Sequence, residues 1–189
     1  MTDLDKDLVH RKGLWYKKFS IFPFSGKVTG LDKGLIKNGK MEGEWVEFND
    51  AVQYKELFGI DTQLMQKGKY KNGKREGAWV GYRDDGQLDY KGNYKNGKSE
   101  GARVDYDKNG NLETKGNYKN DKKEGEWISY WSDGQLLSKG NYKNSKMEGE
   151  WISYWSDGQL MSKGNYKNGE EEGEWVTFHS DGNLIKKCS

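Results

Sequence analysis

The chain has 189 residues, 33% of them charged and 32% hydrophobic, and its mean hydropathy of -1.15 leaves too little apolar material for a thick globular core. Its 8 Trp, 12 Tyr and 26 Gly nevertheless exclude simple disorder, because disordered chains are poor in large rings, and a fold with a thin core accommodates both facts. With 32 basic against 30 acidic residues the net charge is only +2, which excludes a strong global field toward nucleic acid or anionic membrane, so no nucleic-acid partner is expected.

Residues 1–33 hold Trp15, Phe19, Phe22, Phe24 and the single proline, Pro23, and fit the period of the rest of the chain poorly, as a cap with a degenerate first repeat would. This segment is expected to cap an array, with Pro23 discouraging edge-to-edge pairing. Asp3, Asp5 and Asp7 interrupt any apolar run of the kind a secretory signal needs, and no stretch of about 20 apolar residues occurs, so a cytoplasmic location is expected. Cys188, alone, has no partner for an intramolecular disulfide.

Residues 34–67 carry a worn repeat, marked by Gly34, Ile36, Asn38-Gly39, Glu42-Gly43, Trp45 and Phe48. An insertion near 49–63 interrupts it. Asp50 with Gln53 resembles a capping box, and Tyr54, Leu57 and Phe58 would share a face if residues 51–58 formed a short helix ending at Gly59. Loops grafted on rigid repeats often carry specificity, which makes Tyr54, Leu57 and Phe58 candidate partner-binding residues.

From residue 68 to 187 the sequence follows a 24-residue ruler through five regular copies, set by Gly68, Gly92, Gly116, Gly140 and Gly164. A tyrosine follows each of these glycines by two residues, and a Glu-Gly pair ends nine residues after it. Trp79, Trp127, Trp151 and Trp175 come next, with Arg103 in the place of a fifth tryptophan. Blocks 116–139 and 140–163 differ only at Asp121/Ser145, Lys123/Met147 and Leu137/Met161, so duplication is the simplest origin. Asn-Gly steps such as Asn72-Gly73 and Asp-Gly or Asn-Gly steps such as Asp133-Gly134 supply the positive φ of tight turns. Runs rich in aromatic and β-branched residues, such as 150–155, read as the strands between them. The fold class expected is all-β: an elongated, single-layer, twisted antiparallel sheet of tandem hairpins.

The pattern Gly-x-Tyr-Lys-Asn-Gly-Lys-x-Glu-Gly-x-Trp-x-x-Tyr-x-x-Asp-Gly-x-Leu, as it runs with minor departures through 92–112 and 140–160, resembles MORN repeats, the membrane occupation and recognition nexus motif. It looks most like the bacterial second type, found in YwqK-like antitoxins, over about residues 34–187. It departs at Arg103, at Asp121 and Ser145 where a turn glycine is expected, and in the insertion. The resemblance implies a scaffold without a fixed catalytic site, used in relatives for holding proteins, for phospholipid contact and, in this branch, for an antitoxin or immunity role.

The residues themselves offer little for chemistry. His10 and His179 are the two histidines and lie at opposite ends, so no metal cluster or histidine triad is expected. No cofactor, small-molecule substrate or enzymatic activity is expected either. The equivalent acids Glu76, Glu100, Glu124, Glu148 and Glu172 read as cross-strand partners of Lys71, Lys95, Lys119, Lys143 and Lys167 rather than as catalytic pairs, which need unlike environments. Gly92, Gly116, Gly140 and Gly164 are expected to make room for rings stacked across from them, so Trp79, Trp127, Trp151 and Trp175 read as structural. Whether Tyr142 shares the face of Trp151 or the opposite one depends on loop parity and stays open here.

Trp131 and Trp155 occupy a slot that elsewhere holds Arg83, Asp107 and His179. A slot free to vary usually faces solvent, and exposed aromatics mark contact sites, so these two weigh evenly between partner-binding and bland surface. The leading functional expectation is a non-enzymatic protein-binding repeat scaffold, with a toxin as one candidate partner. A module binding lipid headgroups through lysines such as Lys71 and Lys95, and a surface adhesion module, are the alternatives.

Overall fold

The positive φ that the turn sequences call for is where the chain folds back. Asn72 (φ 52°) with Gly73 (φ 74°) and Asn96 (φ 53°) with Gly97 (φ 85°) close two-residue hairpins whose twist matches that of the flanking strands. The computed structural model describes residue 2 and residues 7–29, 32–48 and 64–188. The insertion, with the helix expected over 51–58, lies outside them.

The chain divides into two units, Met1–Lys98 and Ser99–Ser189. In the first, a small hairpin of β1 (Leu8–Arg11) and β2 (Leu14–Lys17) precedes a sheet of β3 (Gly26–Thr29), β4 (Lys33–Lys37), β5 (Lys40–Phe48), β6 (Leu64–Lys71), β7 (Lys74–Tyr82) and β8 (Leu88–Lys95). The second unit holds β9, which starts at the junction (Lys98–Tyr106), then β10 (Leu112–Lys119), β11 (Lys122–Tyr130), β12 (Leu136–Lys143), β13 (Lys146–Tyr154), β14 (Leu160–Lys167), β15 (Glu170–Phe178) and β16 (Leu184–Cys188). Within each unit's sheet the strands lie in chain order, every neighbour antiparallel. The architecture is all-β, built of tandem hairpins.

The two glycines of each repeat do different work. The second, as at Gly77 (φ 69°), Gly125 (φ 71°) and Gly149 (φ 74°), takes a left-handed backbone that forms a bulge. Pairing therefore jumps from Gly140↔Trp151 to Asn141↔Glu148, two residues further on one strand than on the other. The first glycine lies under the indole: a β-carbon at Gly116 would fall 2.6 Å from Cγ of Trp127, and one at Gly140 as close to Cγ of Trp151. Each indole N–H then donates to the carbonyl beside its glycine, Trp79 to Lys69 at 3.1 Å and Trp127 to Asn117 at 3.2 Å.

The glutamate ladder corrects an expectation. Glu42, Glu76, Glu100, Glu124 and Glu148 each accept the backbone N–H of the asparagine in the following turn, Asn72, Asn96, Asn120, Asn144 and Asn168, at 2.8–3.0 Å. A carboxylate bound to a turn N–H satisfies a donor the hairpin leaves open, a better use of its charge than an exposed ion pair of small net value. Glu172 does form the expected pair, with Lys167 at 2.8 Å. Asp121 (φ 65°) and Ser145 (φ 66°), which replace the turn glycine, bond through their side chains to the N–H of Ser99 and Lys123 in the preceding repeat, offsetting the left-handed strain.

At the start of the first unit, β1 and β2 fold against the sheet. Leu8, Val28, Ile36 and Trp45 form a buried cluster against which Trp15, Phe24, Met41 and Tyr70 pack. The backbone N–H of Trp15 donates to the Gly39 carbonyl and that of Gly39 to the Phe24 carbonyl, which ties this segment to the first turn of the array. Phe19, Ile21 and Phe22 remain exposed.

Candidate functional site

Because the bulge adds an even number of residues, the tyrosines and tryptophans share one face. In the second unit Tyr118, Trp127, Tyr142, Trp151, Tyr166 and Trp175 form a ladder of nearly perpendicular rings with centroids 5.0–6.2 Å apart. Such edge-to-face contacts suit the ring quadrupole. In the first unit Trp45, Tyr70, Trp79 and Tyr94 do the same.

Beyond Trp45, the slot four residues before the tryptophan position separates the closed part of this face from the open part, and the sequence pattern alone gave it no special weight. It holds Met41, Arg75, Ser99, Lys123, Met147 and Glu171. The Arg75 guanidinium lies 4.4 Å from the Trp79 ring centroid and 5.3 Å from that of Tyr94; the Lys123 ammonium lies 4.0 Å from Trp127 and 5.0 Å from Tyr142. Under these cations Trp79 is 0% and Trp127 4% exposed, and Trp45, in the cluster with Leu8, is 1% exposed. Among the described residues no cation lies over Trp151 or Trp175, and both are only half-buried.

A second row runs beside the rings. Thr114, Ser129, Ser138, Ser153, Ser162 and Thr177 stand opposite one another from strand to strand, an unbroken line of small hydroxyl residues from β10 to β15 that ends on Asp105 of β9 and Lys186 of β16. Ser153 and Ser162 share a hydrogen bond of 2.6 Å. In the first unit the same row runs Glu47, Gln66, Gly81 and Tyr90, with the Tyr90 ring lying over Gly81, and larger polar groups gather along it. Tyr70 donates to Glu47 at 2.9 Å, Arg75 donates to Gln66 at 2.7 Å, and Tyr90 donates to Gln66 at 3.2 Å. The second unit's face therefore carries a shallow trough, and a cavity of about 150 Å³ opens among Met147, Trp151, Ser153, Ser162, Tyr166 and Trp175.

Burial, followed by the charge and hydrogen bond of Glu47, pushes the Tyr70 hydroxyl up to about 12, against the opposing pull of Arg75. A raised pKa in the fold means stability that is complete below the ordinary tyrosine value near 10 and lost as pH climbs from there toward 12. Alkaline unfolding curves should show a steeper loss over that window in the wild type than in Tyr70→Phe. Equal slopes in the two proteins would refute the assignment.

Trp131 and Trp155 lie past the ends of β11 and β13, in the outer turns. Neither stands free as expected of a variable slot. Each is half-buried and donates its indole N–H to a carbonyl of the next repeat, Trp131 to Tyr154 and Trp155 to Phe178, both at 3.1 Å. At Arg103, where a tryptophan is expected, the guanidinium pairs with Asp105 at 2.7 Å. Gly92 is buried and pairs with Trp79 across β7 and β8. Tyr54, Leu57 and Phe58 lie outside the described residues. Among the described residues no group of three His, Cys, Asp or Glu gathers as metal ligands, and no helix is long and apolar enough to cross a membrane.

No curated protein matches the chain. Among solved structures, the GtfA/B complex bound to UDP and GlcNAc is similar at 15% identity and a TM-score of 0.26 over 58% of this chain; the match spans 22% of that one. A protein with unknown function from Bacteroides fragilis is similar at 12% identity and a TM-score of 0.14, over 90% of this chain and 93% of that one. Likenesses this loose carry no argument. The model of a MORN repeat variant matches residues 75–96, 99–120, 123–144, 147–168 and 171–189, more than half of the chain and in step with the 24-residue ruler. With these matches on the same hairpins that carry the ring ladder, the chain belongs to the MORN repeat variant family.

Proposed function

We propose that the protein is a non-enzymatic scaffold that binds a protein partner in the trough on the tryptophan face of its second unit. The observation that carries this reading is the pairing of a half-open ring ladder with the hydroxyl row from Thr114 to Thr177. Large rings supply apolar contact area at small entropic cost, and a line of hydroxyls accepts and donates to an extended backbone laid across the strands. The half-exposed rings of Trp131 and Trp155 offer an additional contact at the outer turns. An antitoxin role is the narrower form of the same reading, with a toxin as the bound partner.

Affinity capture from the source cell tests it. Ser138→Gln and Ser162→Gln copy Gln66 of the first unit and fill the trough without touching the rings; they are expected to lose the captured partner. Lys71→Glu and Lys95→Glu are expected to retain it. Loss confined to the lysine variants, together with flotation of the wild type on anionic vesicles, would overturn the reading in favour of headgroup binding.

A further inference from the structure

Two equivalents of the cavity at Trp151 already hold a cation. In the first unit the guanidinium of Arg75 rests over Trp79 and Tyr94; in the second, the ammonium of Lys123 rests over Trp127 and Tyr142. In these two repeats a positive group fits between one indole and the next tyrosine, where the negative faces of the rings attract it. At Trp151 and Tyr166 the slot holds neutral Met147, and at Trp175 it holds the acid Glu171. The rings are the same, and their spacing is the same: 6.1 Å for Trp151 to Tyr166 against 6.2 Å for Trp79 to Tyr94 and for Trp127 to Tyr142. The chain supplies no cation of its own from this slot, and a cavity of about 150 Å³ lies there.

Charge reinforces the shape. Glu171 is exposed and stands opposite Tyr166 in the ladder of β14 and β15. Tyr166 lines the cavity, so this pairing sets the acid beside it, and burial together with the Glu171 charge raises the pKa of the Tyr166 hydroxyl. We propose that the cavity bounded by Met147, Trp151, Tyr166 and Trp175, with Glu171 at its side, is a receptor for a cationic side chain of the protein partner, arginine above all. A planar guanidinium stacks on an indole and pairs with a carboxylate at once, and Arg75 illustrates the stacking within the chain. The proposal rests on the trough being the partner's site and names the group that anchors there.

The near-identity of blocks 116–139 and 140–163 provides the control. Met147→Lys reproduces the residue that the preceding copy carries at Lys123, so the fold already tolerates it. The full chain, labelled for indole N–H signals, is titrated with acetyl-Gly-Arg-Gly-amide and with the same peptide carrying citrulline. The signals of Trp151 and Trp175 are expected to move with the arginine peptide at about tenfold lower concentration than with citrulline, while those of Trp79 and Trp127, already covered, stay put. Met147→Lys is expected to abolish the response of Trp151, and Glu171→Gln to weaken it about fivefold. Signals that stay still, or that answer both peptides alike, overturn the proposal. Panning a random peptide library on the wild type, with Met147→Lys and Ser162→Gln as competitors, separates the two readings. Peptides lost on both variants and rich in arginine support both. Peptides lost on Ser162→Gln with no excess of arginine or lysine leave the scaffold standing and remove the cation receptor. No peptide sensitive to Ser162→Gln removes the trough itself.

Discussion

Trp79→Ala is expected to destabilise the protein by about 3–5 kcal/mol, the usual cost of deleting a fully buried large ring. The indole is 0% exposed, touches Tyr70 edge-on at a centroid distance of 5.0 Å, lies under Arg75, and satisfies the carbonyl of Lys69. Removing it leaves a cavity against Gly68, an uncovered guanidinium and an open acceptor. Trp175→Ala removes the same ring from the same slot, but there it is half-buried and uncovered, so a loss of about 1–2 kcal/mol is expected. Because stability in a repeat array is a sum of local and nearest-neighbour terms, amide exchange in β6 and β7 against β14 and β15 is the measurement that separates the two losses. Equal losses at the two sites would show that the covering cation contributes nothing to holding the ring.

Gly116→Val is expected to cost about 3 kcal/mol, near the lower end of the Trp79→Ala loss, for a different reason. The new β-carbon would occupy the space of the Trp127 indole, 2.6 Å from its Cγ, and would push a buried ring out from under Lys123. Gly125→Ala, nine residues on, meets no atom within 4 Å and is strained only by its φ of 71°, a cost of about 1–2 kcal/mol. The clash is a two-body effect, so a double-mutant cycle decides it. Gly116→Val in a Trp127→Ala background should add little to the loss from Trp127→Ala alone. Additive losses would mean that the glycine is required by the backbone and not by the ring.

The sequence by itself determined the strands, the turns and the pairing of consecutive hairpins, because these depend on local chemistry. Asn-Gly and Asp-Gly steps dictate backbone sign wherever they occur, and Asp133, Asp157 and Asp181 bond to the N–H two residues on, whatever surrounds them. The stacking of tryptophan on glycine was also legible, since a glycine recurring inside a strand needs a neighbour that excludes a side chain. Face parity was not, because it depends on the bulge at the Glu-Gly step, and a bulge shows itself only in the register of two paired strands. The glutamates misled for a related reason: their proximity to lysine in the chain was visible, whereas the turn N–H they bind belongs to the next repeat. Trp131 and Trp155 varied in a way that resembles a solvent-facing slot, yet each bonds a carbonyl 23 residues away. The tertiary structure alone decided which rings are covered. Trp45 is covered by the cluster around Leu8, and further along the ladder coverage follows the residue four before the tryptophan, where Arg75 and Lys123 lay a cation over the ring and Met147 and Glu171, neutral and negative, cannot.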